Sequence, residues 1–254
     1  ATAAAGRPYR DELPYRLKDG TVRCTDFALS PIVDDAGRVS FLVPVWIDIT
    51  ERKHAEQATQ LLATVSTSLG ELADTRSTLQ QVATQVVPTF ADWCAVDLLD
   101  EQGSCERLIV AGSDASKARL ACELIEKYQP SPQSRHGVGR VLREGQSELI
   151  QEVADDNLRG LSRSPEHLQL LRELGIRSHL CVPLVSREQT LGAFTFVTAE
   201  SGRRYSPKDL QVAEDLARRA TVAIENADLY RARKEADRRK DEFLATLAHE
   251  LRNP

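Results

Sequence analysis

His179-Leu180-Cys181-Val182-Pro183-Leu184-Val185, then Ser186-Arg187-Glu188-Gln189, then Leu191-Gly192-Ala193-Phe194-Thr195-Phe196-Val197-Thr198 is the stretch on which the fold turns. Two apolar runs of strand length flank a short polar segment, which is the pattern of a β-hairpin. An earlier pair matches it. Trp93 to Leu99 reads as a strand, Asp100-Glu101-Gln102-Gly103 as a turn and Arg107 to Ala111 as the returning strand. Between the pairs, Ala118 to Tyr128 reads as helix, Gly137-Val138-Gly139 leads a short helix that stops at Gly145, Glu148 to Gln151 reads as a short strand, and His167 to Glu173 as helix. Two strands, a helix-rich insertion and two more strands predict an antiparallel sheet with helices to one side, an α+β architecture.

Downstream, Ser206-Pro207-Lys208-Asp209 opens a helix: Ser as N-cap, Pro at the first helical position and an acid at the third. No Gly or Pro follows before Pro254, so the helix is expected to be a coiled-coil or bundle element. Leu210, Ala213, Ala217, Ala220, Ile224 and Ala227 recur at spacings of 3 and 4, and Arg231 to Glu242 is almost entirely charged, a solvated stretch. Upstream of the sheet, Ala58, Leu62, Val65, Leu69 and Leu72 form a second narrow seam, expected to make a helix–helix contact. Asp74 is placed to cap a further helix through Leu79, Val82 and Val86, ended by Pro88. Nearer the start, turns at Lys18-Asp19-Gly20-Thr21 and Asp34-Asp35-Ala36-Gly37 divide β-rich runs into at least three strands. Fifty such residues seldom bury enough surface to fold alone, which predicts a half-domain with an uncovered apolar face.

Composition narrows the function classes. With 254 residues, 41% hydrophobic and 28% charged, the chain is of the globular type, and its charge of −5 carries no basic excess of the kind a dedicated nucleic-acid binder shows. The uncharged apolar run Val39 to Ile47 is far short of the roughly 20 residues of a membrane span. Five scattered cysteines without a C-x-x-C pair argue against a disulfide framework or zinc ribbon. The five histidines make no H-E-x-x-H arrangement, so no metal site is expected. With no Met and no signal sequence, the chain reads as an internal piece of a cytoplasmic protein, any membrane anchor of the parent lying upstream.

His249 is the first candidate for chemistry. With Leu244 at a and Leu247 at d of a heptad, it falls at f, farthest from the seam, where a partner can reach its imidazole. The string Phe243-Leu244-Ala245-Thr246-Leu247-Ala248-His249-Glu250-Leu251-Arg252-Asn253-Pro254 resembles the phosphoacceptor box of sensor histidine kinases. The resemblance implies that His249 takes a γ-phosphoryl group from ATP, that Glu250 orients or deprotonates it, that Asn253 positions water or the partner during dephosphorylation, and that Pro254 bends the helix.

Two upstream resemblances accompany it. The hairpins of residues 15–50 with Asp48-Ile49-Thr50 resemble the C-terminal half of a PAS domain, which implies that Asp48 pairs with a basic residue of the outgoing helix, here Arg52. Residues 75–228, through Trp93 to Leu99, Gly137-Val138-Gly139-Arg140-Val141, His179 to Leu184, Leu191-Gly192-Ala193-Phe194 and Tyr205 to Leu210, resemble a GAF domain. Members of that family bind cyclic nucleotides, bilins, haem or no ligand, and the residues leave the ligand open. No cysteine has the context of a bilin attachment, Cys181 reads as a core thiol, and only His136 and His179 stand where a haem ligand is conceivable.

Taken together these readings predict residues 1–50 as a PAS half-domain, 51–74 as a linker helix, 75–228 as the GAF domain and 229–254 as a signalling helix entering the phosphoacceptor domain. The implied function is the sensory and phosphoacceptor part of a two-component histidine kinase, acting as a homodimer. Its partners are the parent's ATP-binding domain, with ATP and Mg²⁺, and a response-regulator receiver domain. The stretch holds no phosphate-binding loop and no cofactor of its own, so it is expected to be inactive alone. The alternative is a ligand-binding or dimerisation module serving another output domain.

Overall fold

Alternation along the apolar strands sorts their side chains onto two faces, and both faces are covered. The computed structural model describes residues 6–18, 20–69, 75–100, 102–112, 117, 120, 123–124, 127–130, 134, 136–187 and 189–252, with residues 68–69, 241 and 243–252 by backbone alone. The described strands are β1 (Tyr9–Arg16), β2 (Val22–Val33), β3 (Val39–Asp48), β4 (Trp93–Leu99), β5 (Cys105–Gly112), β6 (Glu148–Ile150), β7 (Ser178–Ser186) and β8 (Gln189–Thr198). The helices are α1 (Thr50–Leu69), α2 (Thr75–Val86), α3 (Val138–Glu144), α4 (Asp155–Leu161), α5 (Pro165–Leu174) and α6 (Pro207–Arg252). The larger sheet runs β5-β4-β8-β7-β6, antiparallel throughout, and β1-β2-β3 form a separate antiparallel meander.

On one face of the larger sheet, Cys94, Val96, Leu180, Val182, Leu184, Phe194 and Phe196 join Leu79, Val82 and Val86 of α2 and Leu216 and Ala220 of α6 in the main core. The alanines of α6 let its backbone lie close to β7, the strand it packs on. The start of α6 is tied as its sequence predicts. Ser206 N donates to Asp209 Oδ2 at 2.8 Å, Asp209 N returns to Ser206 Oγ at 3.4 Å, and Arg203 pairs with the Asp209 carboxylate. Nearer its middle, Glu225 accepts a hydrogen bond from Ser186 at the end of β7. Tyr205, fully buried, donates its hydroxyl to the Phe90 carbonyl at 3.1 Å.

The structure corrects one expectation and adds to two others. Helices lie on both faces of the sheet, because the alternate residues Cys181 and Ala193 are also buried, under Val141 and Leu142 of α3. The seams of α1 and α6 make the expected helix–helix contacts within this chain, with each other and with α2, and do so inside the main core: Leu61 and Val65 of α1 and Ala213, Ala217, Ala220 and Ile224 of α6 are all buried there. Residues 155–161, unread in the sequence, form α4. Of the expected helix at 118–128 only scattered residues are described, and Asp74 and Leu72 lie outside the described residues.

The sequence predicts one uncovered apolar face for the meander; both are uncovered, with Phe41 (70% exposed) and Ile47 (53%) on one and Trp46 (65%), beside Phe27, on the other. Its link to α1 is specific: Cys24 N donates to Thr50 Oγ1 at 2.9 Å and Ile49 N to the Cys24 carbonyl at 3.0 Å. Because α1 contributes to the core, Leu61→Ala should lower the unfolding free energy by about 2–4 kcal/mol in urea denaturation. A loss under about 0.5 kcal/mol would mean that α1 stands apart as a connector.

Candidate functional site

The second face of the larger sheet is the floor of a cavity of about 190 Å³. Strand register sets that floor in rows. Gly112, Trp93, Val197, His179 and Ile150 lie side by side across the strands, then Val110, Ala95, Thr195, Cys181 and Glu148, then Arg107, Asp97, Ala193 and Pro183. Gly112 is required beside Trp93, since a Cβ there would overlap the indole ring. The roof and walls come from His136 and Gly137 before α3, from His167, Leu171 and Leu174 of α5, and from Leu124 and Tyr128. Ser164 caps α5 by accepting from His167 N at 3.1 Å, and Pro165 fixes its first turn.

Charge within this apolar setting is held in pairs. Arg107 meets Asp97 in a two-pronged ion pair of 2.7 and 3.0 Å, with Asp97 fully buried. Glu148 is buried too and accepts from Gly137 N at 3.1 Å and from Arg140 at 3.3 Å. His179 Nδ1 lies 3.9 Å from Glu148, beyond hydrogen-bond reach, and burial pushes its pKa down, so the ring is neutral. His167 is likewise held neutral by burial and by nearby Arg163. Its Nδ1 accepts from Arg163 N at 3.1 Å, so the ring proton sits on Nε2, and the ring stacks on Tyr128 with centroids 4.1 Å apart. Cys181 accepts weakly from Thr195 Oγ1 at 3.5 Å, and burial pushes its thiol well above the ordinary range, as a core residue.

Among the described residues no cluster of three His, Cys, Asp or Glu is placed to hold a metal ion. None of the described helices is long and apolar enough to cross a membrane. The sequence profile of the GAF domain matches residues 74–224, more than half the chain. The chain belongs to the GAF family. Solved structures share the fold. The GAF domain of a phosphoenolpyruvate-protein phosphotransferase from Coxiella burnetii is similar at 16% identity and TM-score 0.55, over 70% of this chain and 98% of that one. The free methionine-R-sulfoxide reductase of Neisseria meningitidis, solved with its substrate, is similar at 18% identity and TM-score 0.53, over 70% and 93%. The GAF domain of the corresponding phosphotransferase from Acinetobacter follows at 17% identity and TM-score 0.52, over 67% and 94%. No curated protein matches the chain.

In the GAF cavity, His179 is buried in the floor and His136 stands exposed at the rim. Asp97, Arg107 and Glu148 were not anticipated as site residues. The signal for the first two was present, because a hairpin turning at residues 100–103 sets residue 97 opposite residue 107.

The remaining candidates lie apart from the cavity. Asp48 does not pair with Arg52. Its carboxylate accepts from Thr50 N at 2.9 Å and pairs with Arg23 at 2.9 Å, because Arg23 on the neighbouring strand is nearer than the outgoing helix face. Arg52 instead holds Glu12 of β1 at 2.6 Å and Glu56 at 2.9 Å. His249 and Glu250 fall in the last turns of α6, their side chains outside the description, and Asn253 and Pro254 lie outside the described residues.

Removing one member of the buried pair leaves the other uncompensated, so Arg107→Ala should destabilise the domain by about 3–5 kcal/mol in urea denaturation. An effect under about 1 kcal/mol would show that Asp97 finds water or another partner. At the meander, the side chain and N–H of Thr50 with the Arg23 guanidinium bring the Asp48 carboxyl down from 3.8 to about 2. A depressed carboxyl stabilises the fold fully above its unfolded pKa and loses that effect as pH falls through the folded one. The Asp48 contribution should therefore be complete above about pH 4 and disappear towards pH 2. Carboxyl-carbon NMR titration should show this, with Thr50→Ala returning the pKa towards its ordinary value.

Proposed function

We propose that the chain is the sensory and phosphoacceptor part of a two-component sensor histidine kinase, in which occupancy of the GAF cavity alters the helix that carries His249. The observation that carries this reading is the continuity of α6. One uninterrupted helix begins on the back of the cavity's own sheet and runs on, through a charged and exposed middle, into the His249-Glu250-Leu251-Arg252-Asn253-Pro254 string. Strand β7 is the element between them, with His179 and Cys181 towards the cavity and Leu180, Val182 and Leu184 towards the helices. A ligand that displaces β7 acts on α6 through packed side chains.

In this reading the neutral imidazole of His249 attacks the γ-phosphorus of ATP held with Mg²⁺ by a separate ATP-binding domain. A nitrogen–phosphorus bond forms as the bond to ADP breaks. Glu250 takes up or orients the ring proton, Asn253 positions water when the phosphoryl group is removed, and Pro254 supplies the bend beyond them. A response-regulator receiver domain accepts the group in turn. The α6 helices of two chains pair beyond the GAF domain. The meander serves as the end of a PAS-like sensor, coupled to α1 by Arg52 through Glu12 and by Asp48 through Thr50.

Supplied with an active histidine-kinase ATP-binding domain in trans, the chain should acquire acid-labile phosphate, and His249→Ala should abolish it. Equal labelling of the two proteins, or none in the presence of a demonstrably active domain, would reject the reading.

A further inference from the structure

Two buried nitrogens on the cavity floor have no hydrogen-bond partner among the described residues: Trp93 Nε1 and His179 Nδ1. Both residues line the cavity and are more than nine-tenths buried. They occupy the same row of the sheet, on either side of Val197, so roughly 10 Å separates their strands. An indole N–H only donates, and a buried donor without an acceptor is costly, so an acceptor atom that a ligand brings to Trp93 would relieve that cost. His167 adds a second donor, since its Nδ1 is already accepting and its proton is therefore on Nε2.

The charges point the same way. No Asp or Glu is among the described residues that line the cavity, whereas Arg107 and Arg163 are. Asp97 neutralises Arg107, but no carboxylate among the described residues pairs with Arg163. Glu148, the buried carboxylate 3.9 Å from His179, is already held by Gly137 N and Arg140, so the charge left free for a ligand at the lining is the positive one of Arg163. The rest of the lining is apolar, with Val110, Val197, Leu171 and Ile176 among it. Size sets the last limit. A cavity of about 150 Å³ admits benzene, so one of about 190 Å³ admits such a ring with a small substituent, well below the size of a tetrapyrrole.

We infer that this GAF cavity takes a small carboxylate carried on an apolar body, an aryl or branched alkyl acid, with Trp93, His167 and Arg163 receiving its acceptor atoms. The inference names the ligand class for the site that the proposed function treats as the sensor. Its test does not pass through His249.

The chain contains two tryptophans, so Trp46→Phe leaves Trp93 as the sole fluorescent reporter. That protein is titrated with benzoate, phenylacetate and isovalerate and with the matching amides, by fluorescence and by calorimetry. At least one acid should saturate the site with Kd on the order of 1 mM or tighter and bind at least about tenfold more tightly than its amide. Trp93→Phe, followed by calorimetry, should weaken that acid roughly tenfold. Arg163→Gln, at an exposed position that leaves the core intact, should remove most of the preference for acid over amide. Amides binding as tightly as acids, an unchanged preference in Arg163→Gln, or no binding of any of the three acids would each overturn the inference. His249→Ala should bind as the parent chain does, so failure of phosphoryl transfer and failure of binding are separate results.

Discussion

Each strand of the five-stranded sheet presents side chains to two buried layers, and that double duty governs the rest of the structure. Towards α2 and α6 the strands offer Val96, Leu180, Phe194 and Phe196, large groups that interlock with the helices in the main core. Towards α3 and α5 they offer Ala95, Ala193, Thr195 and Val197, smaller groups that cannot fill the space beneath those helices. The cavity is thus a product of the alternation itself. A one-residue slip of β8 would exchange the two sets, closing the cavity with phenylalanine while emptying the main core.

Keeping polar groups on the cavity side demands compensation. The buried carboxylate of Asp97 is tolerated because Arg107 reaches it with two hydrogen bonds from the adjacent edge strand. Glu148 is tolerated because Gly137 and Arg140 converge on it, which also fixes where α3 begins relative to β6. The Glu148 contacts thereby tie the irregular roof to the regular floor, while the Asp97–Arg107 pair braces the floor itself. On the cavity floor, Trp93 Nε1 and His179 Nδ1 are the buried groups this accounting leaves without a partner among the described residues.

Much of this was legible in the residues. The two hairpins, the Gly-bounded α3 and the Ser206-Pro207-Lys208-Asp209 start of α6 depend on local chemistry: alternation, turn residues and capping. What the sequence hid depends on partners distant along the chain. A seam such as Leu62 and Val65 looks the same whether it meets a second chain or the chain's own α2 and α6, and only the fold distinguishes the two and adds Leu61, which the seam omits. The PAS resemblance implies that Asp48 pairs with Arg52, yet the partners they take, Arg23 and Glu12, come from neighbouring strands. The α4 segment, with Leu158 as its one buried residue, offered too weak a periodicity to be read.

The hydrogen bond from Ser186 to Glu225 has a mechanical consequence. It fastens the tip of the β7–β8 hairpin to α6 close to where the helix leaves the packed core, since Ala227 is buried and the residues from 229 to 240 are exposed. This makes the contact a fulcrum, with a short arm lying on β7 and a long arm of about 40 Å reaching towards Arg252. Tilting the short arm by about 5° sweeps the far end through roughly 3–4 Å. With a short arm of about 27 Å from Pro207 to Glu225, a shift of roughly 2 Å at the sheet end becomes one of about 3–4 Å at the far end, by leverage alone.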